Sequence, residues 1–451
     1  MDISIGNTKK TLFKFALPMI LSLITQQLYT VVDMIIVGQY LGVNELAAVG
    51  NAAAVVQILI TLSGGLEMGS EVIFAKFVGE KKYGDIVIGV KSILLFGLAS
   101  GLCITIIGLW IKSPILSLIN VPGQLYKDTG TYISIYILGI AAIFIYDISR
   151  AIIVALGDSR SSMILVIFTS FLNVVLDLLF ICVFKMGVGG AAFATILSQI
   201  TGMIISLIML RRKVVLFILD HEPIISIELS KIKEILSISV PTIIQQLILS
   251  LSSLVLQVLV NPYGSEVISG YMTANKIMLF QMLIIIGISQ ALSIFISSNF
   301  AAKQIDRIRE GYRISLIFSA IYLLCIAVSN FLIPKHLIGT FIDINKSPAA
   351  YEFAKNYLQF SFLTYLFYGW KILNESVLRG LLMMKKYLYS NLSDLMVKIV
   401  ATYFLISQFS LGGFWIGNML GKVISLIISI LAIRYTIQQQ SQAVYSNEHS
   451  C

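Results

Sequence analysis

Twelve runs of about 20 or more mostly apolar residues leave this chain few ways to fold. They fall near 15–37, 46–75, 86–110, 130–149, 162–184, 188–210, 235–260, 267–299, 314–333, 351–378, 388–408 and 411–433. A segment crossing hydrocarbon must satisfy its own backbone, so only helices or a closed barrel serve, and runs this long fit helices. Residues are 57% hydrophobic and only 12% charged, with mean hydropathy +0.91. A soluble domain carries roughly one quarter charged residues, so this chain lacks the polar surface to cover itself in water. The expectation is an all-α polytopic membrane protein. The net charge of +9 does not point to nucleic acid, because nearly all cations sit in short loops between the apolar runs.

Those cations set the topology. With the N-terminus inside, Lys9, Lys10, Lys14, Lys76, Lys81, Lys82, Arg150, Arg160, Arg211, Arg212, Lys213, Lys303, Arg307, Lys385 and Lys386 all fall on one side. The other side holds only Lys112, Lys127, Lys185, Lys335, Lys346 and Lys355. The bias predicts a multi-pass protein of the cytoplasmic membrane with both termini cytoplasmic. The halves repeat at an offset of 223 residues: FALPMILSLITQQL around Pro18 is echoed by SISVPTIIQQLILS around Pro241, Gly64 by Gly287, and Gly189-Gly190 by Gly412-Gly413. Six spans return the chain to its starting side. The halves are therefore expected as two six-helix bundles related by a pseudo-two-fold axis along the membrane normal. The division reads as an N-lobe at 1–210, a linker at 211–234, a C-lobe at 235–434 and a tail at 435–451.

The polar residues inside the spans carry the chemistry. Asn173 and Asp177, in FLNVVLD, are four residues apart and so share one helical face. A carboxylate inside a membrane is expensive and needs a partner or a purpose. Asp33 lies deep in the first span with no cation within a turn. Two carboxylates, an amide and the Thr195 hydroxyl supply hard oxygens suited to an alkali cation or a shared proton. Ser22, Gln26 and Gln27 are further oxygen donors, though such residues also serve as glue between helices. Glu71 reads as a solvated end charge beside Lys76, Glu67 as a deeper candidate for a cleft, and Asp147 as locally paired with Arg150. Lysines well inside spans (Lys276, Lys371, Lys398, Lys422) all lie beyond residue 260. Lys371 with Glu375 and Asp394 with Lys398 are i,i+4 pairs, whereas Lys276 and Lys422 have no such partner. The expectation is an acidic N-lobe and a basic-to-neutral C-lobe, with Lys276 and Lys371 as candidate cleft residues beside Gln26, Tyr29 and Glu67. Cys103, Cys182, Cys325 and Cys451 carry no CxxC spacing, and His221, His336 and His449 fall in loops or the tail, so neither a disulfide framework nor a histidine metal site is expected.

The chain resembles the MATE (multidrug and toxic compound extrusion) family. The residues that carry the resemblance are ALPMILSLITQQLYTVVDMIIVGQYLG, LSGGLEMGSEVIFAKFVGEKKYGD, ALGDSR, NVVLD and GVGGAAFATILSQ, together with the six-plus-six repeat. The resemblance implies twelve helices in two bundles and cation-driven efflux of amphiphilic, often cationic compounds. Its DinF-like and archaeal branch implies a coupling site at Asp33, Asn173, Asp177 and Thr195. The NorM-like branch adds acidic residues on the seventh and tenth helices. Here the seventh offers Gln245 and Gln246, and the tenth only Glu375 near its end.

The resulting expectation is an H⁺- or Na⁺-coupled antiporter, not an enzyme, exporting cationic or zwitterionic small molecules by alternating access. It needs no cofactor beyond the coupling ion. Its partners are a small-molecule substrate and membrane lipid but no nucleic acid, and it acts as a monomer. No Walker loop is present, so ATP is not the expected energy source. The alternative is a flippase for a lipid-linked oligosaccharide.

Overall fold

The computed structural model describes residues 3–119, 121–218, 226–409 and 411–448. The described residues fold into helices without strands. Their order is α1 (Thr8–Tyr40), α2 (Val43–Gly79), α3 (Tyr83–Leu118), α4 (Gly123–Ala155), α5 (Ser159–Asp177), α6 (Gly187–Ile218) and α7 (Leu229–Val260). There follow α8 (Ser265–Ala301), α9 (Ile305–Leu332), α10 (Pro334–Gly339), α11 (Pro348–Phe360), α12 (Phe362–Gly380), α13 (Met384–Phe409) and α14 (Leu411–Glu448). The outer faces expose Ile106, Trp110, Phe171, Leu254, Val258 and Phe331, side chains suited to lipid.

Among the described residues, eleven helices are long and apolar enough to cross a membrane. The tenth expected span, 351–378, is broken at Ser361 into α11 and α12. The second piece places Lys371, Glu375 and Arg379 within 19 residues, which lowers its hydropathy. The polar connection is also shorter than 211–234. α6 runs on to Ile218 and α7 starts at Leu229, while 219–225, including His221, lie outside the described residues. Charged side chains sustain these helical ends through ion pairs. Lys213 reaches Asp158 at 2.5 Å, Lys231 reaches Asp85 at 2.8 Å and Lys76 reaches Glu234 at 2.6 Å.

The chain divides into two compact units. Unit 1 contains Phe13–Ile243 and the residues before Asn7; unit 2 contains Asn7–Leu12 and everything from Ile244. The division cuts α7 two residues after Pro241, so 229–243 pack with unit 1. Gly65 and Gly69 on α2 permit this: a Cβ on Gly69 would lie 2.0 Å from Ser239 Oγ. In unit 1, α4 packs against α2, α3 and α6, and α5 packs on α6. Asp158 starts α5 by accepting the Ser161 N–H at 3.0 Å and its hydroxyl at 2.7 Å. After Asp177 the helix widens into one π turn, Leu178–Val183, and Gly187 at φ 60° turns the chain into α6. Wide turns of this kind recur at functional positions.

In unit 2, α13 and α14 pack at backbone distance. Gly413, Gly417 and Gly421 recur every four residues on one face of α14. A Cβ would lie 2.1 Å from Leu405 O at Gly413, 2.6 Å from the Thr402 backbone nitrogen at Gly417, and 2.7 Å from Asp394 Oδ1 at Gly421. This contact brings Lys422 of α14 up to Asp394 of α13.

Two outcomes follow from these contacts. Gly417→Leu overpacks the α13–α14 seam at a cost of about 1–3 kcal/mol and lowers the thermal unfolding midpoint in detergent. Gly412→Ala, whose added Cβ meets only Phe409 Cβ at 3.8 Å, leaves the midpoint within measurement scatter. At Asp158, burial pushes the carboxyl up, but the bonds from Lys213 and Ser161 outweigh it and hold the carboxyl below the usual Asp range. Its stabilisation is present above about pH 4 and is lost as pH falls through the folded-state value. Asp158→Ala is therefore destabilised by about 1 kcal/mol at neutral pH, and urea or thermal titrations should find the gap from wild type narrowing in acid.

Candidate functional site

Three helices of unit 1 bring Asp33, Asn173, Asp177 and Thr195 together. Pro18 sits early in α1, and Ser22 donates to the Pro18 carbonyl at 2.9 Å. The Ser22 hydroxyl is thereby committed to backbone, about three turns before Asp33. From α1, the Asp33 carboxyl lies against that of Asp177 on α5. Asp177 is fully buried, and Asn173 is 2% exposed one turn before it. In one amide orientation Asn173 donates to Asp177 Oδ2 at 3.2 Å and accepts from the Thr195 backbone N–H at 3.3 Å. In the other its amide donates to Thr195 Oγ1 at 3.3 Å. The first serves both groups better. Oδ1 of Asp33 and Oδ1 of Asp177 are buried without a donor. The arrangement therefore offers two carboxyl groups in contact, an amide and a hydroxyl, with oxygens to spare. Such a set can take up a proton or a hard cation.

Beside it lies a cavity of about 70 Å³, lined among others by Gln26, Tyr29, Tyr136, Asp147, Arg150 and Gln199, and also by Asn173 and Thr195. Arg150 forms its wall and pairs with Glu67 of α2 and, at 3.8 Å, with Asp147. Asp147 also accepts the Ser63 hydroxyl at 2.5 Å. The pairing is thus wider than the local Asp147–Arg150 contact read from spacing. Glu67 does not line the cavity but holds the arginine that does. Glu71, expected as a solvated end charge, is 3% exposed. α2 continues to Gly79, so Glu71 lies two turns inside the helix rather than at its end.

Unit 2 has its own cavity, about 160 Å³, lined in part by Ser252, Tyr365, Tyr368, Asn418, Lys398 and Lys422. Lys371, expected as a cleft residue, does not reach it. It is enclosed by Glu375 at 2.5 Å, Asn391 at 3.0 Å and Asp394 at 3.5 Å. Lys276 is exposed on α8. Lys422, which had no partner along its own helix, pairs with Asp394 at 2.6 Å and lies 4.7 Å from the centre of the Tyr368 ring. Lys398 donates to Ser252 Oγ at 2.8 Å, with Asp394 only at 3.9 Å.

The two cavities occupy repeat-equivalent positions. Gln26, Tyr29, Thr195 and Gln199 line the first; 223 residues on, Leu249, Ser252, Asn418 and Lys422 line the second. The positions equivalent to Asp33, Asn173 and Asp177 are Leu256, Met396 and Val400, so the second repeat has no counterpart of the carboxyl pair. The 223-residue offset could have found the second cavity from the first. Sequence carried no sign of the π turn after Asp177, since LLFICV holds neither Pro nor Gly.

The MatE family model matches this chain twice, over residues 18–179 and 241–404. The two matches start at Pro18 and Pro241, the same offset as the repeat. The chain is 26% identical over 394 residues to the probable multidrug resistance protein YpnP of Bacillus subtilis (strain 168), covering 87% of this chain and 86% of that protein. It is 22% identical over 340 residues to the multidrug export protein MepA of Staphylococcus aureus (strain N315), covering 74% and 73%. Its fold matches a solved outward-facing multidrug resistance MATE family transporter of the MOP superfamily with a TM-score of 0.87 at 22% identity, over 96% and 97% of the two chains. With the family model matching both halves, the chain belongs to the MatE family of membrane transporters.

Proposed function

We propose that this transporter is a cation-coupled exporter, using H⁺ or Na⁺ to drive amphiphilic cationic or zwitterionic compounds out of the cell. The observation that carries the reading is the contact between Asp33 and Asp177, each with a buried oxygen lacking a donor. Two carboxylates in contact, one buried and one partly so, repel, and a proton or Na⁺ between them removes the repulsion. Asn173 and Thr195 orient the pair and add oxygens. The coupling ion supplies the charge that this pair lacks. The four residues hold it, and the polar cavity beside them gives a substrate access to the same groups.

A cationic substrate and the coupling ion then compete for one set of negative charges. Entry of the ion from outside displaces the substrate, and release of the ion inside restores the empty pair. Each ligand shifts the transporter between its states only by its differential affinity for them. The lysine and arginine bias between the spans supports placement in the cytoplasmic membrane with both ends inside. The names of the YpnP and MepA relatives support drugs as the cargo. The site fits the DinF-like pattern, which confines coupling to one lobe, and the proposed working form is a monomer. A flippase for a lipid-linked oligosaccharide is favoured by one observation, the basic cavity of unit 2.

Proteoliposomes loaded with ethidium, with Na⁺ and pH gradients imposed separately, test the reading. Wild type is expected to move ethidium against one of the two gradients. Asp177→Asn is expected to lose gradient-driven movement by at least about 100-fold while inserting in normal amount with an unchanged unfolding midpoint. Ethidium movement in Asp177→Asn at the wild-type rate would refute the coupling site, and movement driven by neither gradient would refute cation coupling.

A further inference from the structure

We infer that the cavity of unit 2 is a binding site for the carboxylate of an amphiphilic organic anion or zwitterion, held by Lys398 with Lys422 and the Tyr365 hydroxyl. Charge is the first ground. Lys371, Lys398 and Lys422 stand against only two carboxylates, Glu375 and Asp394, all five buried. Lys371 has three partners, and Lys422 has Asp394 and the Tyr368 ring. Lys398 has one neutral partner, Ser252, and a carboxylate no closer than 3.9 Å. The lysine left without a close carboxylate is thus Lys398, at the cavity wall beside Lys422. Arg379, one turn beyond Glu375, is bonded to Ser293 Oγ at 3.1 Å and adds to the positive side without lining the cavity. A lysine without a close carboxylate in a low-dielectric interior favours an anionic ligand that pairs with its ammonium form.

The second ground is an unmet donor. Tyr365 is 2% exposed, lines the cavity, and its hydroxyl has no hydrogen-bond partner. A buried hydroxyl left this way is unfavourable, and a ligand oxygen that accepts from it removes the cost. The third is size and lining. About 160 Å³ holds roughly ten water-sized positions, enough for a carboxylate with a ring attached. The walls supply Tyr271, Tyr357 and Met278 for such a ring. A monocarboxylate matches a single surplus charge, whereas a phosphate dianion would overshoot it. The repeat makes the point independently: the position equivalent to Gln199 is Lys422, and that of Asp33 is Leu256. The same cavity is built twice, once acidic at its edge and once basic.

The site is independent of cation coupling and is tested by binding alone. Benzoate and its neutral analogue benzamide are titrated calorimetrically into the purified full-length protein in neutral detergent. Benzoate is expected to bind at least about tenfold more tightly than benzamide. Lys398→Met should remove that preference and Tyr365→Phe should weaken benzoate several-fold, while Lys398→Arg retains binding. Asp33→Asn, in the other unit, should bind benzoate as wild type does. Equal affinity for benzoate and benzamide, or full benzoate affinity in Lys398→Met, would overturn the proposal. So would inorganic phosphate competing as strongly as benzoate, which would point to a phosphate headgroup instead. Should Lys398→Met fail to fold, the wild-type preference and Tyr365→Phe decide the question.

Discussion

Hydrocarbon offers no hydrogen bonds, so each polar group this chain carries into the membrane must find a partner inside the protein. Most do. Serines and threonines such as Ser22, Thr61, Thr105 and Thr242 donate back to the carbonyl four residues earlier. Arg150 is held by Glu67 and Asp147, and Lys371 by Glu375, Asn391 and Asp394. Paired in this way, charges pin helices to one another rather than bind cargo. Some buried atoms find no partner, and among them are one oxygen each of Asp33 and Asp177 and the hydroxyl of Tyr365, which line or adjoin the two candidate binding places.

The repeat explains why there are two such places and why they differ. Two copies of one six-helix plan give two cavities at matching positions, because the same helix faces meet in each unit. Small residues set how closely those helices approach, most visibly Gly413, Gly417 and Gly421 along α14. The side chains projected into each cavity were then free to differ. One unit holds a carboxyl pair with an amide and a hydroxyl; the other holds lysines, a tyrosine hydroxyl and apolar residues where the carboxyls would be.

Much of this was legible in the sequence. Twelve apolar runs and the 223-residue repeat dictate an all-helical membrane fold, because only a helix closes its own backbone bonds over that length. The NxxxD spacing put Asn173 and Asp177 on one face, the family resemblance joined Asp33 and Thr195 to them, and the structure brings the four side chains together from three helices. What escaped the sequence depends on contacts between distant elements. Glu67 and Arg150 are 83 residues apart, and Lys422 finds Asp394 only because α14 lies against α13. The break at Ser361 and the π turn after Asp177 have no Pro or Gly to announce them. Lys371 looked like a cleft residue because it is charged and within a span. Its burial shows that charge alone does not say which way a side chain faces.

In the proposed cycle, substrate and coupling ion compete for the Asp33–Asp177 pair. Calorimetric titration of ethidium into the detergent-solubilised protein measures this directly, in buffers of different ionisation enthalpy, with and without Na⁺. The account predicts about one H⁺ or Na⁺ released per ethidium bound, and no release in Asp33→Asn or Asp177→Asn. Ethidium binding without release of either cation in the wild type, or undiminished release in both variants, would contradict it.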